Sequence, residues 1–230
     1  MFYKSKRFFI NRFDPRGAQK PFIMSEAGME RTGPCEPQGG SDSQAHTYEP
    51  IYGIWMADYN IQCARAGMQG VLAWSVDDAE HIMNNDQSWP DVHKTLFKKW
   101  GFWNSLGKEI GHPEDTNIRP WFYTWSMMSR YFPAGCTIVK SSQPDVFGVR
   151  TLAATTGENE ISIALVNDSD TAQSLEVNVP DWRFNRKLYR YDFSATNRPT
   201  DADGFPVPQK TSDADELNSG VRLNLPARSV

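Results

Sequence analysis

The chain has 230 residues, with 24 basic against 28 acidic side chains and a formal charge of −4. That length suffices for one large domain or two small ones with a core of real size. Nearly balanced charge without a run of one sign argues against nucleic acid or an anionic membrane surface as partner, and no apolar run is long enough to span a bilayer. The aromatic share is 13%, a supply of rings that suits stacking on sugars and filling a large core equally well.

In chain order, the start Met1 to Arg7 lacks the apolar centre of a secretion signal, so the chain reads either as intracellular or as missing its true N-terminus. The stretch Phe2 to Phe13 reads as the end of a helix, stopped by Asp14-Pro15-Arg16-Gly17. Pro21 to Glu26 then forms a buried strand that delivers one carboxylate to its own C-terminal end. From Gly28 to about His46 the Gly, Pro, Ser and Asp content permits only a long loop. Ile54, Ala57, Ile61 and Ala64 repeat at helical spacing, predicting a helix from about Tyr48 to Ala66 with Gly67 as its stop. A second strand, Gly70 to Ser75, runs parallel to the first if the crossover is right-handed. Val76 to Arg119 shows weak periodicity and carries Trp89, Trp100 and Trp103; a loop of that length is either functional or a sign that elements are hidden in it. A helix from about Pro120 to Tyr131 follows, with Trp121, Trp125, Met128 and Phe132 on one face.

Near Pro133 the pattern changes to short alternating strands separated by turns. Apolar residues alternate at Ile161, Ile163 and Leu165, at Leu175, Val177 and Val179, at Tyr189, Tyr191 and Phe193, and at Val221, Leu223 and Leu225. One face buried and one wet is the antiparallel pattern. Gly157-Glu158-Asn159 and Asn167-Asp168-Ser169-Asp170 read as hairpin connections. A small β-sandwich over residues 133–230 follows 1–132, and its last residues, Ser229-Val230, stop where a further strand is expected.

Glu26 can serve as a charged nucleophile toward an electrophilic sugar carbon, or can cap loop amides or pair with Arg31 or Arg65. Trp74 can form the flat floor under a sugar ring or be an ordinary core residue, and Asp77 and Asp78 can accept hydroxyl hydrogen bonds or do simple turn and cap chemistry. The histidines His46, His81, His93 and His112 lack ligand spacing, and the odd set Cys35, Cys63 and Cys136 reads as free thiols. Asp201-Ala202-Asp203-Gly204 falls short of a calcium loop, and no phosphate loop or nucleophile elbow is present, so no metal or cofactor is implied.

The order strand-Ser25-Glu26, helix, strand-Ala73-Trp74-Ser75, long loop, Arg119-Pro120-Trp121-Phe122-Tyr123-Thr124-Trp125-Ser126, then a β-sandwich ending Leu225-Pro226-Ala227-Arg228-Ser229-Val230 resembles the C-terminal part of a clan A glycoside hydrolase. The resemblance implies the last βα units of a (β/α)8 barrel followed by an antiparallel sandwich, an α/β plus all-β chain. It implies a retaining glycosidase for poly- or oligosaccharides, usually exported, with Glu26 as nucleophile and Trp74 as the aromatic after the last barrel strand. Trp74, Trp89 and Trp103 are then candidates for sugar stacking, and Asp77, Asp78 and His46 for hydroxyl contacts. In that clan a second Glu, following Asn, supplies the acid/base. The sole such pair here, Asn159-Glu160, opens a sandwich strand and does not fit. A barrel alone needs roughly 250 residues, more than 1–132 provides. The expectation is a fragment whose remaining strands come from the same or a companion chain; the competing expectation is a non-catalytic carbohydrate-binding or structural module.

Overall fold

A computed structural model describes residues 2–29, 46–82, 95–157, 160–180 and 187–230. The expected loop from Gly28 to His46 falls almost wholly outside the described residues, as do Trp89, Cys35 and His93. The chain opens with α1 (Phe2–Phe13), which ends where Asp14 and Pro15 interrupt the helix. Arg7 ties α1 to the following turn by donating to the Lys20 and Ala18 carbonyls at 3.0 and 3.1 Å. Next comes β1 (Ile23–Ala27), then α2 (Pro50–Arg65) with proline in its first turn, where the missing N–H costs nothing. Gly67, at φ +85°, closes α2 as the sequence predicts.

The strand β2 (Gly70–Ala73) pairs parallel with β1, matching Ile23 to Gly70, Met24 to Val71 and Ala27 to Ala73. Between Met24 and Ala27 the register shifts, so Ser25 and Glu26 together oppose Leu72, the signature of a β-bulge. Met24, Val71 and Ala73 pack inward on Ala27, Tyr52, Met56, Phe102 and Trp121. Ile23 and Leu72, on the opposite face by register, are 52% and 56% exposed.

Within the long expected loop lies an antiparallel pair, β3 (Ala79–Ile82) and β4 (Thr95–Lys98). Its strands are four residues each, too short to show a convincing period in the sequence. The helix α3 (Trp121–Tyr131) begins after Pro120 and buries Trp121, Tyr123, Thr124 and Met128. The Thr124 hydroxyl, donating to the Gly53 carbonyl at 2.9 Å, pins α3 to α2.

Seven strands and one short helix follow: β5 (Thr137–Val139), β6 (Val149–Thr155), β7 (Ile161–Asn167), β8 (Gln173–Val177), β9 (Lys187–Arg190), β10 (Lys210–Asp213), α4 (Glu216–Ser219) and β11 (Val221–Leu225). They form a three-stranded sheet ordered β5-β6-β7 and the pairs β8 with β11 and β9 with β10, all antiparallel. The strands β6 and β7 on either side of Gly157-Glu158-Asn159 pair antiparallel, Glu158 and Asn159 themselves lying outside the described residues, but Asn167 to Asp170 makes no hairpin, because β8 pairs with β11 and not with β7. Asn167 is fully buried, and its side-chain amide donates to the Thr171 and Pro226 carbonyls at 2.9 and 2.8 Å, which carries the chain across from one sheet to the next.

Two alternation expectations change sides. In β7 the buried apolar residues are Ala164 and Val166, with Ile161, Ile163 and Leu165 only half-buried. The parity is decided by what covers the sheet: α2 and α3 lie over Ala164, Val166 and Leu152 in one cluster with Ile54, Ala57, Ile61 and Phe193. In β9, Tyr189 faces solvent while Leu188 points inward, and the strand ends before the fully buried Phe193. The cluster around Ile54 joins residues from both sides of Pro133, so α2 and α3 are the central layer, with the strand pair β1-β2 on one flank and β6-β7 on the other.

Candidate active site

The C-terminal ends of β1 and β2 lie side by side, fastened where the Trp74 amide donates to the Ala27 carbonyl at 2.9 Å. On this rim Glu26 is exposed and stands on the bulge of β1, a device that re-aims a side chain away from strict alternation. No cation among the described residues pairs with it. Arg65, one of the partners considered for it, instead donates to Gln143 at 2.7 Å; the other, Arg31, is outside the described residues.

Trp74 is 40% exposed and packs on the buried Trp100 with ring centroids 5.6 Å apart. The peptide between Trp74 and Ser75 is cis. Beyond it the chain folds back on the segment 100–105: the Ser75 amide donates to the Trp100 carbonyl at 3.1 Å, the Phe102 amide to Val76 at 2.9 Å, and Asp77 bridges to Trp103. Both aspartates hold this fold-back in place. Asp77 Oδ1 accepts from the Asp78 and Ser105 amides at 2.8 and 2.9 Å.

Asp78, expected at the mouth, is turned inward with a fully buried side chain. Its Oδ1 accepts from the Trp100 and Gly101 amides at 2.9 Å each and from Arg119 Nη1 at 2.7 Å, and its Oδ2 accepts from Arg119 Nη2 at 2.5 Å. A carboxylate filled by four donors has no room left for a substrate hydroxyl. Burial alone would lower the Arg119 pKa; the hydrogen bonds and charge of Asp78 outweigh it, and the net direction is upward. Arg119 Nη2 also donates to the Tyr48 hydroxyl at 2.8 Å, and the guanidinium lies 4.2 Å from the Tyr48 ring centre. Burial in turn drives the Tyr48 phenol far upward, keeping it neutral.

Gly101 makes the fold-back possible, because a Cβ there would overlap the Asp77 carbonyl carbon and the Asp78 nitrogen. Its carbonyl accepts from Arg119 Nη1 at 2.7 Å and from Trp121 Nε1 at 3.1 Å. Trp103 is half-buried against Phe102 and Phe122, at 6.0 and 6.1 Å between ring centres. His46, at φ +63°, contacts Glu49 at 2.7 Å and lies edge-on to Trp55 at 5.5 Å, just before α2. The structure thus brings Glu26 and Trp74 to one rim, puts Trp103 and the aspartates in the fold-back behind it, and gives His46 to the start of α2.

Arg119, Trp100, Tyr48 and Gly101 escape a site reading of the sequence. Asp78 and Arg119 are 41 positions apart, and only the Arg-Pro step before a helix hints that a side chain is fixed there.

No family profile and no curated protein sequence matches the chain. Solved structures do. The chain is similar to the glycoside hydrolase family 30 subfamily 8 xylanase from Clostridium acetobutylicum, at TM-score 0.59 and 16% identity over 93% of this chain and 42% of that one. It is also similar to a family 30 endoxylanase from Clostridium papyrosolvens, at 0.54 and 14% over 94% and 42%. A third neighbour is the catalytic domain of family 30 xylanase C from Talaromyces cellulolyticus, at 0.55 and 15% over 91% and 39%. The chain therefore shares its fold with part of these family 30 glycoside hydrolases, in line with the resemblance read from the sequence. The chain spans about two-fifths of the length of these neighbours.

Proposed function

We propose that the chain is the C-terminal portion of a retaining glycoside hydrolase, with β1 and β2 as the last strands of a (β/α)8 barrel and residues 133–230 as an appended β-sandwich. Glu26 is the nucleophile. One of its oxygens attacks the anomeric carbon, the bond to the leaving oxygen breaks, and that oxygen takes a proton from a carboxylic acid elsewhere in the polypeptide, about 5–5.5 Å from Glu26. Water then displaces Glu26 from the sugar with the second carboxylate as base. Trp74 lies under the sugar ring, held by Trp100, with Trp89 and Trp103 as further stacking candidates and Asp77 and His46 as hydroxyl contacts. Asp78 contributes by bracing the fold-back, because its oxygens are occupied. The substrate is a poly- or oligosaccharide, and β-linked xylan is the first to try, since the neighbours are xylanases.

The observation that carries this reading is the exposed Glu26, without a cation partner among the described residues, on a β-bulge beside the exposed Trp74, both at the C-terminal ends of parallel strands, where barrel enzymes do their chemistry. The test is Glu26→Ala in the full-length polypeptide. Turnover of xylan falls by several orders of magnitude while substrate binding persists, and added azide, entering the vacated space as a small nucleophile, restores release of the leaving group. Undiminished hydrolysis by the variant would remove Glu26 from the role. The competing reading, a non-catalytic carbohydrate-binding module, requires binding without any Glu26-dependent turnover.

A further inference from the structure

A groove of about 570 Å³ lies between α3 and the turn that carries Asp201, Phe205 and Pro206. Phe122, Trp125, Arg130 and Tyr131 of α3 line one wall, and Asp201 and Phe205 line the other. None of these residues belongs to the rim around Glu26.

The far wall is a built turn. Asp201 Oδ1 accepts from the Asp203 and Phe205 amides at 3.0 and 2.9 Å, the Asp201 amide donates to the Phe205 carbonyl at 2.9 Å, and Thr200 bridges to Pro206. Phe205 is thereby held against Phe122, with 5.5 Å between ring centres, yet stays 44% exposed. Tyr131 is fixed by its hydroxyl contact with Tyr191. The volume falls within the range of about 300–1,000 Å³ usual for small-molecule clefts.

The chemistry of the walls narrows the ligand. Four aromatic rings offer flat apolar faces. One cation, Arg130, and one anion, Asp201, face the groove without forming an ion pair among the described residues, and their charges cancel. A phosphorylated ligand would meet the Asp201 carboxylate, and an apolar peptide would strand both charges out of water. A neutral molecule with CH faces for the rings and hydroxyls for the guanidinium and the carboxylate satisfies every wall. We infer that this groove is a saccharide-binding site distinct from the rim around Glu26. It lets the protein hold a polysaccharide at a second point, raising the local concentration of chain ends and links at the first. This inference goes beyond the catalytic reading and does not require it.

The test is calorimetric titration of the protein with xylotetraose and, separately, cellotetraose. Phe205→Ala and Trp125→Ala each weaken binding about tenfold or more, whereas Glu26→Gln leaves groove binding unchanged. Phe205 is a surface residue, so its variant retains the fold, which circular dichroism checks. Saturable binding that is untouched by Phe205→Ala, or no binding of either sugar, overturns the inference. Binding lost in Trp74→Ala but kept in Phe205→Ala also overturns it and leaves the Glu26 reading standing. Full turnover by Glu26→Gln together with loss in Phe205→Ala does the reverse.

Discussion

Arg119 and Asp78 have side chains 2% and 0% exposed, so each charge relies on the other for the solvation that water no longer supplies. Arg119→Ala leaves a buried carboxylate without its counter-ion and the Tyr48 hydroxyl without its donor, and costs about 3–5 kcal/mol of stability; the urea midpoint measures it. Arg119→Lys keeps the charge but not the fork that spans Asp78, Gly101 and Tyr48, so it recovers only part of the loss. A midpoint unchanged by the alanine variant would mean that the fold-back is not held by this pair. Glu26 has the opposite setting, exposed and without a cation among the described residues, and that contrast between two carboxylates on adjoining strand ends separates the brace from the candidate nucleophile. Both carboxylates could be picked out of the sequence as strand-end acids. Which one is turned inward could not, because the decisive cation arrives from 41 residues downstream of Asp78.

At the scale of elements, α2 carries most of the organisation, since it packs on the strand pair with Tyr52 and Met56 and on the three-stranded sheet with Ile54, Ala57 and Ile61. The stripe Ile54, Ala57, Ile61 and Ala64 was legible because a period near 3.6 is a local property of the helix. The buried parity of β7 was not, because Ile161, Ile163 and Leu165 look like the core face until a helix covers Ala164 and Val166 instead. Asp58 joins α2 to that sheet, facing Arg150 at 3.3 Å and accepting from Gln62 at 2.6 Å, with Oδ1 lacking a hydrogen bond. Burial raises its pKa, more than the Arg150 charge lowers it. The folded state therefore holds the Asp58 proton at pH values where the unfolded chain has lost it, so this stabilising contribution is complete below the unfolded pKa and disappears as pH rises through the folded one. Asp58→Asn, a permanently neutral mimic, is accordingly more stable than the parent at pH 7, and the difference shrinks as pH falls toward 4. Urea unfolding across that range checks it, and a gap that widens on acidification would contradict the assignment.

At the scale of the whole molecule, part of the exposed apolar surface lies on the strand pair and on α1, where the proposed remainder of a barrel would cover it. Ile23 and Leu72 on the strand pair, Val76 just beyond it and Phe8, Phe9 and Phe13 on α1 are all more than half exposed, whereas parallel sheets are ordinarily covered on both faces. The chain taken alone therefore self-associates, and Ile23→Lys with Leu72→Lys shifts it toward monomer. Sedimentation velocity over a range of concentrations reads the outcome; a parent chain that stays monomeric throughout would count against the reading of it as a barrel fragment. What the sequence by itself determined were the properties written in local order: the helix stops at Asp14-Pro15 and Gly67, the strand that carries Glu26, though it runs on to Ala27 and is largely exposed where a buried one was expected, the stripe of α2, and the succession of elements that resembles a clan A hydrolase. The tertiary structure alone decided which carboxylate is exposed, which face of β7 and β9 is buried, that Asn167 carries the chain between sheets, and that a short ladder lies within the long connection. Those outcomes depend on contacts between residues far apart in the chain, whose energies arise only when the elements are packed together and leave no period or spacing behind them.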